Sequence, residues 1–321
     1  MTGVAEVQSP HVGHVAASIL QTIGNTPLVH LRRLSPPGSR LFAKLEGMNP
    51  TGSVKDRPAL AMIEAAEGRG ELEPNHELLE PTSGNTGLSL AMIARVKGYR
   101  LTVVAPDNLP EEKLEALRLY GAKIVYSPGE RGSNGAIDVA RDVDIAGLEY
   151  WMLNQYSNAA NWQAHFDTTG PEILRDLPDV TAFVAGLGSG GTLMGVSRRL
   201  KEHDPNIEVI GAEPMAGDKV QGLRSLGDGF IPPIFEASRL DGRYLIDGAE
   251  AVAMTRRLLE EEGIFAGPSS GAAVTAAIRY AELRPGGKIV VLLADGGWKY
   301  LSTGVFDAKS TDKALEGSML W

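Results

Sequence analysis

The stretch "NPTGSVKDRPA", residues 49–59, sets a single lysine, Lys55, between a turn and the start of a strongly helical run. The positive end of a helix disfavours a cation there. Such a lysine is either solvated and inert or works as a neutral amine. Solvation is the usual fate of a lysine, but the turn Asn49-Pro50-Thr51-Gly52-Ser53 in front of it favours the second reading. Three further segments could do chemistry beside it. In "EPTSGNTG" (80–87), Ser, Thr, Asn and Gly fill a turn between the apolar "ELLE" and the periodic "LSLAMIARV". A strand-to-helix turn of that composition exposes backbone N–H groups to an anion. One Ser or Thr would be an ordinary N-cap, whereas this run, with Gly84 and Gly87, exceeds what a cap requires.

"AGLGSGGTLMG" (185–195) is a second such turn, in which Gly186, Gly188 and Gly191 match G-x-G-x-x-G. Glu213 follows near the ~20-residue spacing of a dinucleotide fingerprint, so an NAD-dependent oxidoreductase is one reading. The other is a cradle for a single phosphate. The mid-chain position weighs against the dinucleotide. "GPSSGAAV" (267–274) places two serines before a small-residue helix, and alone it would pass for an N-cap. Lys55 separates the readings. A nicotinamide site gives it no role, whereas a neutral lysine, a phosphate cradle and a serine-rich turn together suit pyridoxal 5′-phosphate.

These turns need elements to hold them. Strand candidates at 41–46, 100–106, 122–128, 150–155, 181–186, 207–213 and 288–295 alternate with helical patterns. Near-continuous apolar strands alternating with helices imply an α/β fold with parallel sheets covered on both faces. Gly98, Gly121 and Gly263 close helices as C-caps. At 321 residues two lobes are expected. The segment 1–48 forms an N-terminal arm with the first strands, packed partly on the large lobe. Residues 49–156 form a small substrate-binding lobe, and 157–321 a large cofactor-binding lobe with a mobile C-terminal tail. A net charge of -9, from 31 basic and 40 acidic residues, argues against nucleic acid. No apolar run approaches membrane-spanning length and no secretory leader is evident, so a cytoplasmic location is expected. The chain has no cysteine, which excludes disulfides, thiolate metal sites and a cysteine nucleophile. The six histidines lack metal spacing.

"GNTPLV" (24–29), "NPTGSVKDR" (49–57), "PTSGNTG" (81–87), "TTGPEI" (168–173), "GLGSGGT" (186–192) and "GPSSGA" (267–272) occur in the order found in the cysteine synthase family, which this chain resembles from about residue 18 to 305. These are fold-type II pyridoxal-phosphate enzymes of β-replacement, with two lobes and the cofactor in the cleft between them. The O-phosphoserine sulfhydrylase branch of actinobacteria is the nearer likeness, through "LRSLGDGFIP" (223–232), "EGIFAG" (262–267), "DGGWKYLSTG" (295–304) and the terminal "ALEGSMLW". The resemblance implies that Lys55 is the Schiff-base lysine and Asn85 meets the cofactor's ring hydroxyl. Gly188, Ser189, Gly190, Gly191 and Thr192 would hold its phosphate, and Ser269 would meet the pyridine nitrogen. Thr82, Ser83, Thr86 and Gln155 would grip the substrate carboxylate, and Arg224 would face the phosphate of O-phosphoserine. Where the family often has Gly-Ile-Ser, this chain has Gly267-Pro268-Ser269, and proline removes an N–H and fixes φ.

The implied reaction eliminates the β-substituent to an aminoacrylate, and a sulfur nucleophile then adds to give L-cysteine. Lacking a thiol of its own, the enzyme must take sulfur from sulfide, thiosulfate or a carrier protein's thiocarboxylate. O-acetylserine is the alternative donor, and a homodimer is implied. An idle family member serving as a binding module is disfavoured by the intact lysine and turns. The tail ending in Met319, Leu320 and Trp321 has two readings: frayed, or docked in the cleft to exclude water.

Overall fold

The structure, a computed structural model, describes residues 15–73, 76–82, 84–145 and 150–307. Its strands are β1 (Leu28–His30), β2 (Arg40–Leu45), β3 (Glu77–Pro81), β4 (Arg100–Pro106) and β5 (Lys123–Ser127), followed by β6 (Tyr150–Met152), β7 (Ala182–Gly186), β8 (Glu208–Pro214), β9 (Gly242–Ile246) and β10 (Lys288–Leu293). The helices are α1 (Asp56–Gly68), α2 (Asn85–Lys97), α3 (Glu111–Leu119) and α4 (Gly132–Ile145), then α5 (Ala159–Ala164), α6 (Gly170–Asp176), α7 (Gly191–His203), α8 (Gly248–Glu262) and α9 (Pro268–Leu283). One sheet has the order β1-β2-β10-β7-β8-β9, parallel except for the antiparallel β1–β2 pair. The other is β5-β4-β3-β6 and wholly parallel. The α/β class with mainly parallel sheets is as the alternating pattern implies.

Both faces of each sheet are covered, which explains the uninterrupted apolar strands. On the six-stranded sheet, Ala272, Ala273, Ala276 and Ala277 of α9 pack against Val184, Ile210 and Val291. Leu193, Val196 and Leu200 of α7 cover Phe183, Val209 and Val290 on the other face. The small residues of α9 let α8 approach closely: a Cβ on Gly271 would lie 2.0 Å from the Ala251 carbonyl oxygen. In the smaller sheet, Met62, Ile63, Leu90 and Ile93 of α1 and α2 pack on Leu78, Leu101 and Val103. Ala136 and Ala140 of α4 lie against Leu79 and Val104 on the opposite face.

β1 and β2 belong to the six-stranded sheet, and buried charge ties them to α1 and α6. Arg57 donates to Glu46 through Nε at 2.7 Å and to Glu172 through Nη1 at 2.7 Å, while Lys44 Nζ meets Glu172 at 2.7 Å. Every partner is matched, so losing one would strand a buried charge, at a cost of about 3–5 kcal/mol.

Gly98 and Gly263 cap α2 and α8 in the left-handed conformation, as expected. Other boundaries moved. The strand expected over 150–155 stops at Met152, because the chain turns at Asn154, whose φ is +52°. Glu80 holds that turn, its carboxylate accepting the N–H groups of Asn154 at 2.7 Å and Gln155 at 3.1 Å. β9 is a sheet edge with alternating exposure, and its "GRYLI" lacks the continuous apolar signature of the central strands.

Candidate active site

The C-terminal ends of the parallel strands of both sheets face one cleft, with a volume of about 320 Å³. Thr82, Pro106, Gly186, Pro214 and Ala294, at or just beyond the ends of β3, β4, β7, β8 and β10, all line it. Open parallel sheets place ligands at this edge because helix N-termini converge there. Of the residues expected to contact cofactor or substrate, all that are described line this cleft except Gly191, which starts α7 just behind it. Ser83 lies outside the described residues, as does the tail from 308 to 321.

Lys55 is the N-cap of α1. Its turn is fastened to the end of β10: Val54 N–H donates to the Ala294 carbonyl at 2.8 Å, and Gly296 N–H to the Gly52 carbonyl at 3.1 Å. Gly52 has φ +77°, and a Cβ there would meet the Trp298 ring at 2.9 Å, so both the backbone and the neighbour require glycine. Burial lowers the Lys55 amine to a pKa of about 8, while the Asp295 carboxylate pulls the other way. At neutral pH the amine is then still mainly protonated but about a tenth neutral, some hundredfold more than for a lysine of ordinary pKa.

The second glycine turn is an open helix start. Gly190 caps α7 with φ +91°, no side chain caps the helix, and its first turn carries no acidic residue. The loop is backed by packing that leaves no room for a side chain. A Cβ on Gly191 would lie 1.9 Å from Asn161 Oδ1, and one on Gly188 would lie 2.9 Å from the Gly222 carbonyl. Asn161 Nδ2 donates to Ser189 Oγ at 3.0 Å and to the Gln155 carbonyl at 2.7 Å, joining two loops of the cleft. His165 Nε2 lies 3.3 Å from Thr192 Oγ1, and its Nδ1 lies 2.9 Å from Thr169 Oγ1. Burial, reinforced by the Arg57 charge, lowers His165 to about 3, so the imidazole is neutral.

In the first turn, Thr82 Oγ1 accepts from the N–H groups of Gly84 at 3.2 Å and Gly87 at 3.3 Å. Thr86 Oγ1 donates to Gln155 Oε1 at 2.8 Å. Asn85, the first residue of α2, has its amide between Asp295 and Lys299. The third turn is more than a cap. Gly267 is the N-cap and makes no side-chain cap bond, Ser269 lies in the cleft wall, and Ser270 Oγ accepts the Ala294 N–H at 3.1 Å. Pro268 occupies the start of the helix, where its missing N–H and fixed φ cost nothing.

Arg224 stands at the cleft on aromatic supports. Its guanidinium carbon is 4.6 Å from the Phe230 ring centre and 5.1 Å from that of Tyr156. Nη1 donates to Asn134 Oδ1 at 2.9 Å and Nη2 to Tyr156 OH at 3.4 Å. The plane is fixed while further N–H groups remain for a ligand.

Sequence reasoning left several residues of this site unnamed. Asn161 and His165 sit four apart in "NWQAH", a spacing that puts both on the side facing α7; the spacing was legible but not the neighbour. Asp295, Lys299 and Tyr300 were noticed only within "DGGWKY" as marks of resemblance. The dinucleotide reading finds no support. Glu213, which would bind a ribose, is buried and paired with Arg243 Nη1 at 3.1 Å.

A pyridoxal phosphate fits these features. The pKa-lowered amine can bond its aldehyde, the uncapped glycine helix start can take its phosphate, and a neutral serine meets the floor of the cleft. The family profile described as "Pyridoxal-phosphate dependent enzyme" matches residues 19–295. Cysteine synthase B of Salmonella typhimurium is 47% identical over 288 residues, covering 89% of this chain and 95% of that protein. Cysteine synthase B of Escherichia coli is 45% identical over 292 residues, covering 90% and 96%. The solved cysteine synthase of Entamoeba histolytica superposes with a TM-score of 0.88 at 33% identity, covering 99% of this chain and 98% of that one. O-ureido-L-serine synthase superposes with a TM-score of 0.86 at 38% identity, covering 93% and 98%. The chain belongs to the pyridoxal-phosphate-dependent cysteine synthase family.

Proposed function

We propose that this protein carries out β-replacement on an O-activated L-serine, with O-phospho-L-serine as the donor and a sulfur nucleophile as the acceptor, to give L-cysteine. The kinship with cysteine synthases supports the reaction class. Arg224, a supported guanidinium lining the same cleft as Lys55, carries the choice of donor.

Pyridoxal phosphate, when bound, supplies an electron sink for the substrate's Cα. Lys55 would hold it and, as a free amine, would serve as the base that removes the substrate's Cα proton and later returns one. A pKa of about 8 suits both tasks. The backbone N–H groups of Gly188 to Thr192, at the positive end of α7, take the phosphate. His165 stays neutral behind Thr192, so that side of the phosphate site offers dipoles rather than a cation. Ser269 offers the ring nitrogen a hydroxyl rather than a carboxylate, which keeps the sink moderate and favours elimination. Thr82, Ser83, Thr86 and Gln155 receive the substrate carboxylate. Glu80 sets the Asn154–Gln155 turn from below.

Phosphate is a more highly charged leaving group than acetate, and a guanidinium fork matches it. O-acetyl-L-serine is the second reading. It is favoured if purified enzyme shows the higher kcat/KM with that donor, a result that would overturn the phosphoserine assignment. The sulfur donor is sulfide or a carrier protein's C-terminal thiocarboxylate, since the chain has no cysteine to relay sulfur. We further propose a homodimer in which residues 49–156 form the lobe that closes on substrate. No helix among the described residues is long and apolar enough to cross a membrane.

A further inference from the structure

Beyond β10 the chain enters a short 3-10 helix, Gly297–Thr303, that carries Lys299 and Tyr300 back toward the start of α2. Lys299 is only 4% exposed, although it is a lysine. Its Nζ donates to Asn85 Oδ1 at 2.8 Å. On the other end of the same amide, Asn85 Nδ2 donates to Asp295 Oδ2 at 2.7 Å, and that oxygen also accepts from Tyr300 OH at 2.5 Å. An ammonium can only donate and a carboxylate can only accept. The amide is thus held between opposite charges with its oxygen toward Lys299 and its nitrogen toward Asp295. Rotating it by half a turn would set oxygen against carboxylate and N–H against ammonium.

We infer that Lys299 is a positioning residue that fixes the Asn85 amide so that its second N–H is presented to an oxygen of the cofactor ring. Asn85 lines the cleft and Nδ2 keeps one N–H beyond that given to Asp295. A donor locked in this sense fits an anionic ring oxygen; a flipped amide would offer its own oxygen and repel one. The ammonium at Oδ1 also polarises the amide and strengthens the N–H on the far side. Burial lowers the Lys299 amine to about 8; Asp295 and Asp56 pull it back toward the ammonium and Lys113 opposes them, so at neutral pH it is mainly the cation. Asp56 is itself held by Thr51 and Ser89. Room for the stem comes from Gly52, where a Cβ would lie 3.3 Å from Lys299 Cε.

This inference rests on the reading of Asn85 as a cofactor contact, and the test separates the two. The probe is free pyridoxal 5′-phosphate, added to cofactor-stripped protein, with dissociation constant and visible absorption maximum as readouts. Lys299→Met, which keeps the stem and removes the donor, should weaken binding roughly tenfold, as expected for one hydrogen bond to a charged group. It should shift the absorption band in the same direction as Asn85→Ala. The double variant should be no worse than Asn85→Ala alone, because Lys299 acts only through that amide. Additive losses, or a wild-type spectrum in Lys299→Met, would overturn the inference. A wild-type affinity and spectrum in Asn85→Ala would instead remove the underlying reading. If the methionine variant does not fold, Lys299→Arg carries the test: a retained band and affinity support the role, and a loss as large as that of Asn85→Ala refutes it.

Discussion

Replacing Arg224 by alanine should separate the two candidate donors. In the free protein Arg224 makes two hydrogen bonds, to Asn134 Oδ1 and Tyr156 OH, and rests on two aromatic rings. Asn134 is exposed and Tyr156 half-buried, so water replaces the lost partners and the fold should be little affected. What the substitution removes is a charge-assisted contact to the departing phosphate, worth about 1.5–3 kcal/mol. Arg224 is itself partly exposed, so solvent screening puts the effect toward the lower end, about tenfold in kcat/KM. Charge builds on the phosphate as its bond to the substrate breaks, so part of the loss should appear in kcat. O-acetyl-L-serine has no such charge, and its turnover should hold. Arg224→Lys keeps a cation but loses the planar fork and the stacking, and should fall between. The assay is steady-state kcat/KM for both donors in wild type and variants, at low and high salt. The O-phospho-L-serine value alone should fall with salt in the wild type. Equal losses for both donors in Arg224→Ala would refute the reasoning and leave Arg224 a structural role.

Lys55→Ala should abolish turnover, and borohydride reduction of the wild-type holoenzyme followed by peptide mass spectrometry should place the pyridoxyl group on Lys55; label on the buried, ion-paired Lys44 or any other lysine would contradict the assignment. Only the neutral amine can attack the cofactor's aldehyde, so its capture by cofactor-stripped protein should accelerate with pH, reach half its limit near pH 8 and level off above that, whereas a midpoint nearer 10.5 would mean an unperturbed lysine. Burial without a cation raises Glu80 to about 7 despite its two backbone donors. Its contribution to stability is therefore full below about 4.5 and lost as pH rises through 7, a change of about 3 kcal/mol at most. Glu80→Gln should flatten the thermal-stability profile across that window and, by loosening the Gln155 turn, raise KM for the amino-acid substrate; an unchanged profile would mean that Glu80 titrates normally.

The positions of Lys55 and the three turns were legible because their signals are local. Gly, Ser, Thr and Asn at the junction of an apolar strand and a periodic helix fix backbone conformation whatever packs around them. Gly190 at the start of α7 and Gly98 at the end of α2 are examples, each in a left-handed conformation that a side chain disfavours. The α/β class was legible for a related reason: buried parallel strands must be apolar on both faces. Charge partners carry no local signal. Asn85 meets Asp295 across 210 residues of chain, His165 backs Thr192 from another helix, and Asn134 reaches Arg224 from the opposite side of the cleft. Whether a serine near a helix start caps it or faces a ligand was likewise undecided in "GPSSGAAV", and only the docking of α9 against β10 turned Ser269 into the cleft and Ser270 to the Ala294 backbone. Composition shows how many lysines and acids there are to bury. Which of them lose their water, and beside which opposite charge, is set when the two sheets bring their strand ends to one edge, and that is what brings Lys55 down to about 8.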